Sequence, residues 1–256
     1  ILRSIYYWGL SKPEAFQAAQ RLIRNTEWAD VSKFIPQKSR FLDIGCGTGF
    51  SMTKALDELD CSCVGVDPFP NYAGVEIDRS KYPEERFEIL EGWAEDLPLE
   101  SASVDVVYSS HMLEHTQNEQ KALQEMKRVL RPGGVMILGV PTASMALIRL
   151  FTLLLFDTHR NIFNIIYWPF RDGTFKNQKR FIDFIIPNSH GQSDKNIFFD
   201  LFHYRVQSWR NIVESEFVVE KELYPGLYSY PDYYKLFTLN KRKTTSSSVF
   251  FICRAK

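Results

Sequence analysis

The sequence predicts an α/β fold. It reads as a doubly wound, Rossmann-like, mostly parallel seven-stranded sheet with helices on both faces and an apolar insertion after the fifth strand. Two observations carry this. Between residues 41 and 140 short β-branched runs alternate with helical patterns, the signature of βαβ units and a parallel sheet. The first of those runs enters a turn with glycines at 45, 47 and 49 that opens a helix.

Residues 1–40 form a helical lead-in. Ser11 followed by Glu14 is a capping-box pattern, Pro13 fits a first turn, and Phe16, Ala19, Leu22 and Ile23 repeat at helical spacing. Pro36 closes this segment. The α/β core then occupies 41–141. Arg40–Ile44 is the first strand and Gly49–Leu59 its helix. Cys63–Val66 is the second strand, ending at Asp67-Pro68, and Phe87–Leu90 is the third. Val104–Ser109 is the fourth, continuous and β-branched as a strand buried on both faces should be. Asn118–Leu130 is an amphipathic helix closed by Pro132-Gly133-Gly134, and Val135–Val140 is the fifth strand. The alternation then stops, so 142–203 is read as an insertion or cap. Residues 204–256 complete the sheet, with a helix over Val206–Glu216 and strands over Phe217–Lys221 and Ser248–Cys253.

Composition narrows the function classes. At 45% hydrophobic and 24% charged the chain is globular, and 31 basic residues balance 31 acidic ones. That neutrality argues against a dedicated nucleic-acid binder. The cysteines Cys46, Cys61, Cys63 and Cys253 lack zinc-ligand spacing and read as reduced thiols of a cytoplasmic protein. No signal peptide is visible, and the sequence begins at Ile1.

The glycine turn excludes one familiar ligand class. A nicotinamide-type fingerprint, G-x-G-x-x-G, needs its last glycine at position 50, which is Phe50. The segment Leu42-Asp43-Ile44-Gly45-Cys46-Gly47-Thr48-Gly49 instead resembles motif I of the class I S-adenosylmethionine (SAM)-dependent methyltransferases. Further segments follow in that family's order: Asp67, Gly92-Trp93-Ala94-Glu95-Asp96-Leu97-Pro98, Val104-Asp105-Val106-Val107-Tyr108-Ser109-Ser110-His111, Glu114-His115 and Leu130-Arg131-Pro132-Gly133-Gly134. The resemblance implies SAM as cofactor and S-adenosylhomocysteine as product. It implies that Asp43 holds the methionine amine and that Gly45, Gly47 and Gly49 let the backbone approach, with Cys46 small enough to fit between them. It places Asp67, followed by Pro68, on the ribose, Ala94 and Glu95 at the adenine, and Ser109 or Ser110 under the methionine end. Trp93 departs from the family's usual Asp or Asn. It removes an acceptor for the adenine amine and offers stacking or shielding instead.

Four residues are candidates for catalysis. His111 follows the fourth strand at the sheet edge where open α/β folds place ligands, and His115 lies one helical turn on. Each also has a plain structural reading as a buried, backbone-bonded histidine. His203 and Tyr204, ahead of the Ser208-Trp209-Arg210 segment, reach either the substrate mouth or only a hydrogen-bonded corner. His111 and His115 are spaced like a metal pair, but no third ligand is evident, so no metal is expected.

The insertion is rich in apolar and aromatic residues, and Arg171, Lys176, Lys179 and Arg180 stand together in it. It reads as a cap over a lipophilic acceptor, a peripheral membrane contact through 145–180, an oligomer or partner interface, or ordinary core packing. A spanning helix is not expected. The sequence thus points to a SAM-dependent methyltransferase of a small-molecule acceptor, lipophilic or glycolipid-like, with O-methylation favoured over N or C. The alternatives are a protein or RNA methyltransferase, or a non-catalytic SAM-fold binding or assembly subunit.

Overall fold

The computed structural model describes residues 13–70, 77–78, 80–152, 188–192, 194–228, 238–239 and 245–256. The Ser11 cap, His159, the aromatic run at 162–170 and the basic cluster at 171–180 lie outside them.

Seven strands form one sheet: β1 (Arg40–Ile44), β2 (Ser62–Asp67), β3 (Phe87–Glu91), β4 (Val104–Ser110), β5 (Leu130–Pro141), β6 (Phe217–Leu223) and β7 (Ser248–Ala255). Their order is β3-β2-β1-β4-β5-β7-β6. The first five run parallel, and β7 lies antiparallel between β5 and β6. Strand order reverses between β1 and β4, the switch point where open α/β sheets open a crevice at their carboxyl ends.

Alternation along each strand assigns the two faces. Leu42, Val64, Val107, Met136, Leu138 and Phe251 pack on one side with Leu123, Met126 and Val129 of α3 (Glu119–Val129) and Trp209 of α6 (Val206–Val213). Phe41, Cys63, Val106, Ile137 and Phe250 face the other side, against Trp28 and Val31 of α1 (Pro13–Val31) and Met52, Ala55 and Leu56 of α2 (Phe50–Leu59). Two further helices, α4 (Ala143–Thr152) and α5 (Ile197–His203), pack together beyond β5. Asn118 caps α3 by accepting from the Lys121 amide at 3.0 Å, and Asn196 caps α5 from the Phe198 amide at 3.1 Å.

The structure moves some boundaries. Pro132-Gly133-Gly134 does not separate α3 from β5. Leu130 already pairs with Val104, and the register slips between Val104 and Val106, so the three residues form an irregularity within the strand. Gly133 supplies the φ of +79° this needs, and a side chain on Gly134 would meet Leu130 at 2.6 Å. Helix α6 stops at Val213, because the Ser215 and Glu216 amides turn back to the Ile212 and Val213 carbonyls. No helix among the described residues is long and apolar enough to cross a membrane.

Candidate cofactor and acceptor site

The carboxyl ends of β1 to β4 converge on one crevice. Gly45, Gly47 and Gly49 take φ of +74°, +50° and +80°, which carries the chain from β1 into α2. The turn is tied down where Gly45 donates to the Val66 carbonyl at 2.8 Å. A Cβ on Gly45 would lie 2.6 Å from Met112 Cγ, whereas one on Gly47 would meet nothing within 4 Å. Gly45 is therefore fixed by packing, and Gly47 turns its bare face to open space. The Cys46 side chain points the other way, its sulfur pressing on Gly65 of β2. Burial pushes its thiol far up, so it is a packing residue that contributes only backbone to the loop.

Asp67 ends β2. Its carboxylate accepts from the Gly47 amide at 3.1 Å and the Phe69 amide at 2.8 Å, which fixes it at the lip of the loop. Pro68 sets the direction of the chain beyond it. Phe69 and Trp93 are 61% and 55% exposed and meet edge-on at 5.9 Å, an aromatic pair flanking the ends of β2 and β3. Ala94 is buried next to them. Glu95 is not turned to this face: its carboxylate accepts from the Gln117 and Asn118 amides, at 2.8 and 3.2 Å. That corrects its expected place at an adenine ring, because two backbone donors hold it against the loop before α3.

Asp43 is buried on the α1/α2 face. Burial pushes its carboxyl up to about 7, opposed by the Arg24 guanidinium and a Ser51 hydrogen bond, with the Asp67 charge adding to the rise. At the end of β4, Ser109 and Ser110 are buried and their hydroxyls have no hydrogen-bond partner. Buried polar groups are rarely left so, and these two end β4 beside the switch point.

His111 follows directly. It adopts φ +54°, a left-handed conformation that histidine tolerates better than most side chains. Its amide donates to the Gly139 carbonyl at 2.9 Å and its Nε2 lies 3.1 Å from Glu27 Oε1. Glu27, from α1, is 1% exposed, and the same oxygen accepts from the Tyr228 hydroxyl and from Ser248 at 2.9 Å. Burial would raise the Glu27 carboxyl, but the charge and hydrogen bond of His111, with Arg24 and Tyr228, overcome it and hold it at about 2. Burial opposes protonation of His111, yet Glu27 and then Glu114 raise its pKa above the usual imidazole value.

The other histidines divide. His115 is 46% exposed and faces His190, ring centroids 5.3 Å apart. His203 and Tyr204 are both engaged by neighbours within the fold. His203 Nε2 is bound 2.7 Å from Glu119 Oε1, and its ring is stacked on Phe199 and edge-on to Trp209. Tyr204 is fully buried, stacked on Trp209, with its hydroxyl accepting from the Gly191 amide at 3.1 Å. These contacts are those of the hydrogen-bonded corner, one of the two readings left open for them, and they join α5, α6 and the 188–192 loop. Glu27, Tyr228, Ser248, Phe69 and His190 are the site residues that sequence reasoning missed. Only Glu27 left a local trace, as a charge on a helix whose other nearby positions, Ile23, Trp28 and Val31, are core.

A glycine turn after the first strand, an acidic residue ending the second and a strand order that reverses between the first and fourth define a doubly wound α/β domain. Residues 42–138 match the family described as methyltransferase domain. Over 115 residues the chain is 35% identical to the tRNA U34 carboxymethyltransferase of Hahella chejuensis, covering 44% of this chain and 36% of that one. Over 113 residues it is 30% identical to the ubiquinone/menaquinone biosynthesis C-methyltransferase of Campylobacter jejuni, covering 42% and 46%. The chain thus spans less than half the length of these curated relatives. In overall fold it is similar to a Thermotoga maritima SAM-dependent methyltransferase described as a possible histamine N-methyltransferase. That likeness has a TM-score of 0.56 at 17% identity and covers 100% of this chain and 98% of that one. Residues 42–138 are thus similar to a methyltransferase domain, on a doubly wound fold shared with SAM-dependent methyltransferases.

The residues present suit that cofactor. Gly47 has an open face after β1, Asp67 ends β2 beside it, and Ser109 and Ser110 with their unpartnered hydroxyls end β4 on the other side.

Proposed function

We propose that this chain transfers a methyl group from SAM to a small-molecule acceptor and that His111, oriented by Glu27, takes the acceptor's proton. The observation that carries the reading is the buried Glu27–His111 pair beside Ser109 and Ser110 at the switch point. SAM supplies an activated methyl donor, so the protein's own work is binding, orientation and proton removal.

Asp43 would face the methionine amine, Asp67 the ribose hydroxyls, and Phe69 with Trp93 the adenine. Glu27 orients the imidazole through Nε2 and raises its affinity for a proton. The His111 side chain keeps 17% of its surface open, enough for an acceptor hydroxyl or ammonium to approach. Such a base suits O-methylation first and N-methylation next, because both lose a proton from the attacking atom. Exposed Leu147, Phe151, Phe198 and Phe202 on α4 and α5 support a lipophilic acceptor.

The test is calorimetric titration with SAM and S-adenosylhomocysteine, followed by methyl release from labelled SAM. Asp67→Ala should abolish binding. His111→Ala should bind SAM as the wild type does and lose about 10²–10⁴-fold in turnover. Equal turnover by wild type and His111→Ala would refute the assigned base. Absence of SAM binding by the wild type would favour the non-catalytic alternative.

A further inference from the structure

Beside His111 lies a second cluster of titratable side chains. Glu114 is 1% exposed, and neither carboxylate oxygen has a hydrogen-bond partner. Two imidazole nitrogens approach Oε1, His111 Nδ1 at 3.8 Å and His115 Nε2 at 4.0 Å. His190 arrives from a distant part of the chain and stands against His115. One ligand atom from each of Glu114, His115 and His190 lies within 4.8 Å of the other two.

We propose that Glu114, His115 and His190 bind a divalent first-row transition-metal ion of the zinc class. A buried carboxyl without a hydrogen-bond partner is costly, and a cation held together with two imidazoles would satisfy it. Zinc bonds to His nitrogen and carboxylate oxygen are about 2.0–2.2 Å, which puts tetrahedral ligand atoms about 3.4 Å apart. Closing from 4.8 Å to that spacing asks each atom to move about 1 Å, within reach of the half-exposed His115 ring.

The arrangement is braced from behind, as metal ligands require. Gly191 carries no Cβ, and one there would sit 2.2 Å from the Glu114 carbonyl oxygen, so only glycine lets the His190 loop come this close. The Gln192 amide group donates to the Thr116 carbonyl at 3.1 Å, and the His190 backbone amide donates to Asp200 at 2.8 Å. Arg149 donates to the Asn188 carbonyl at 3.0 Å and lies 3.6 Å from Asp200. Three protein ligands leave a fourth position open, on the side where His115 meets solvent. All four cysteines are buried, so thiolates do not compete for the ion.

The site is tested on the full chain, stripped with chelator and without SAM, so the outcome does not depend on the methyl-transfer reading. Zn²⁺ is titrated calorimetrically, and Co²⁺ is followed by its visible absorption. One ion per chain is expected, with imidazole-type Co²⁺ bands. Glu114→Gln, which keeps the buried shape, and His115→Ala, at a half-exposed position that cannot unfold the core, should each weaken binding at least about 100-fold. No uptake at millimolar metal would overturn the proposal. So would uptake that both variants leave unchanged, because the ion would then sit elsewhere.

Discussion

Replacing Asp43 with Asn should stabilise the free protein while removing its hold on SAM. The carboxyl is 3% exposed and its pKa is pushed from 3.8 up to about 7, chiefly by burial. An acid whose folded pKa exceeds its unfolded one leaves stability intact below pH 3.8. It erodes stability as pH rises from there to 7, because the unfolded chain ionises and the folded chain does not. At about 1.4 kcal/mol per tenfold change in proton affinity, the loss above pH 7 is about 4 kcal/mol. Asn carries no such penalty, but its amide is also desolvated, so a gain of about 2 kcal/mol at pH 8 is expected. For a chain of this size that is roughly 4–8 °C in Tm. SAM brings a positive amine, which favours the ionised acid. Below pH 7 binding must therefore release a proton, and wild-type affinity should fall about tenfold per pH unit. Thermal melts at pH 4, 6 and 8, with calorimetry in two buffers of different ionisation enthalpy, measure both effects. A stabilisation of Asp43→Asn that is the same at pH 4 and pH 8, or a loss of stability at pH 8, would refute the reasoning. Either would mean that Arg24 and Ser51 already hold Asp43 ionised.

Further outcomes follow from the geometry. Gly45→Ala combines φ +74° with a contact 2.6 Å from Met112, so it should cost about 2–3 kcal/mol in urea unfolding. Gly47→Ala meets only its φ of +50° and should cost about 1 kcal/mol while lowering SAM affinity through its open face. The double change Phe69→Ser with Trp93→Ser should leave Tm nearly unchanged and weaken SAM about tenfold by calorimetry, since both rings are exposed. Trp209→Phe strands the Pro141 carbonyl, which now accepts from the indole at 2.9 Å in the core, and should lose about 1–3 kcal/mol by denaturant titration.

The parallel core was legible because its signals are local. A β-branched run, a glycine turn and an amphipathic helix each declare themselves within a dozen residues, and the seven-stranded sheet follows from their order. The glycine turn and Asp67 were legible for the same reason: a left-handed φ and a strand end leave fixed residue types at fixed places. Errors arose where one residue type serves two geometries. Pro132-Gly133-Gly134 reads as a helix stop, yet the same flexibility lets β5 carry an irregularity and begin at Leu130. Glu95 reads as a ligand group because of its position, but two backbone amides before α3 claim it first. His203 and Tyr204 lie near the α4–α5 packing, and aromatic neighbours absorbed both.

The surroundings of His111 were not legible, and the reason is topological. The residues that orient it come from α1, from the short strand Leu227–Tyr228 and from β7, far apart in sequence. No periodicity links Glu27 to Ser248. The sheet does so by placing β7 beside β5 and laying α1 over the face that ends at β4. Glu27 looks, in sequence, like one more charge on a helix. In the fold it is a buried anion made tolerable by a histidine, a tyrosine and a serine from elsewhere in the chain, with the Arg24 charge near it. The helical lead-in is therefore part of the site: without α1, His111 would lose its only carboxylate within hydrogen-bond distance among the described residues, and Tyr228 and Ser248 would share only each other.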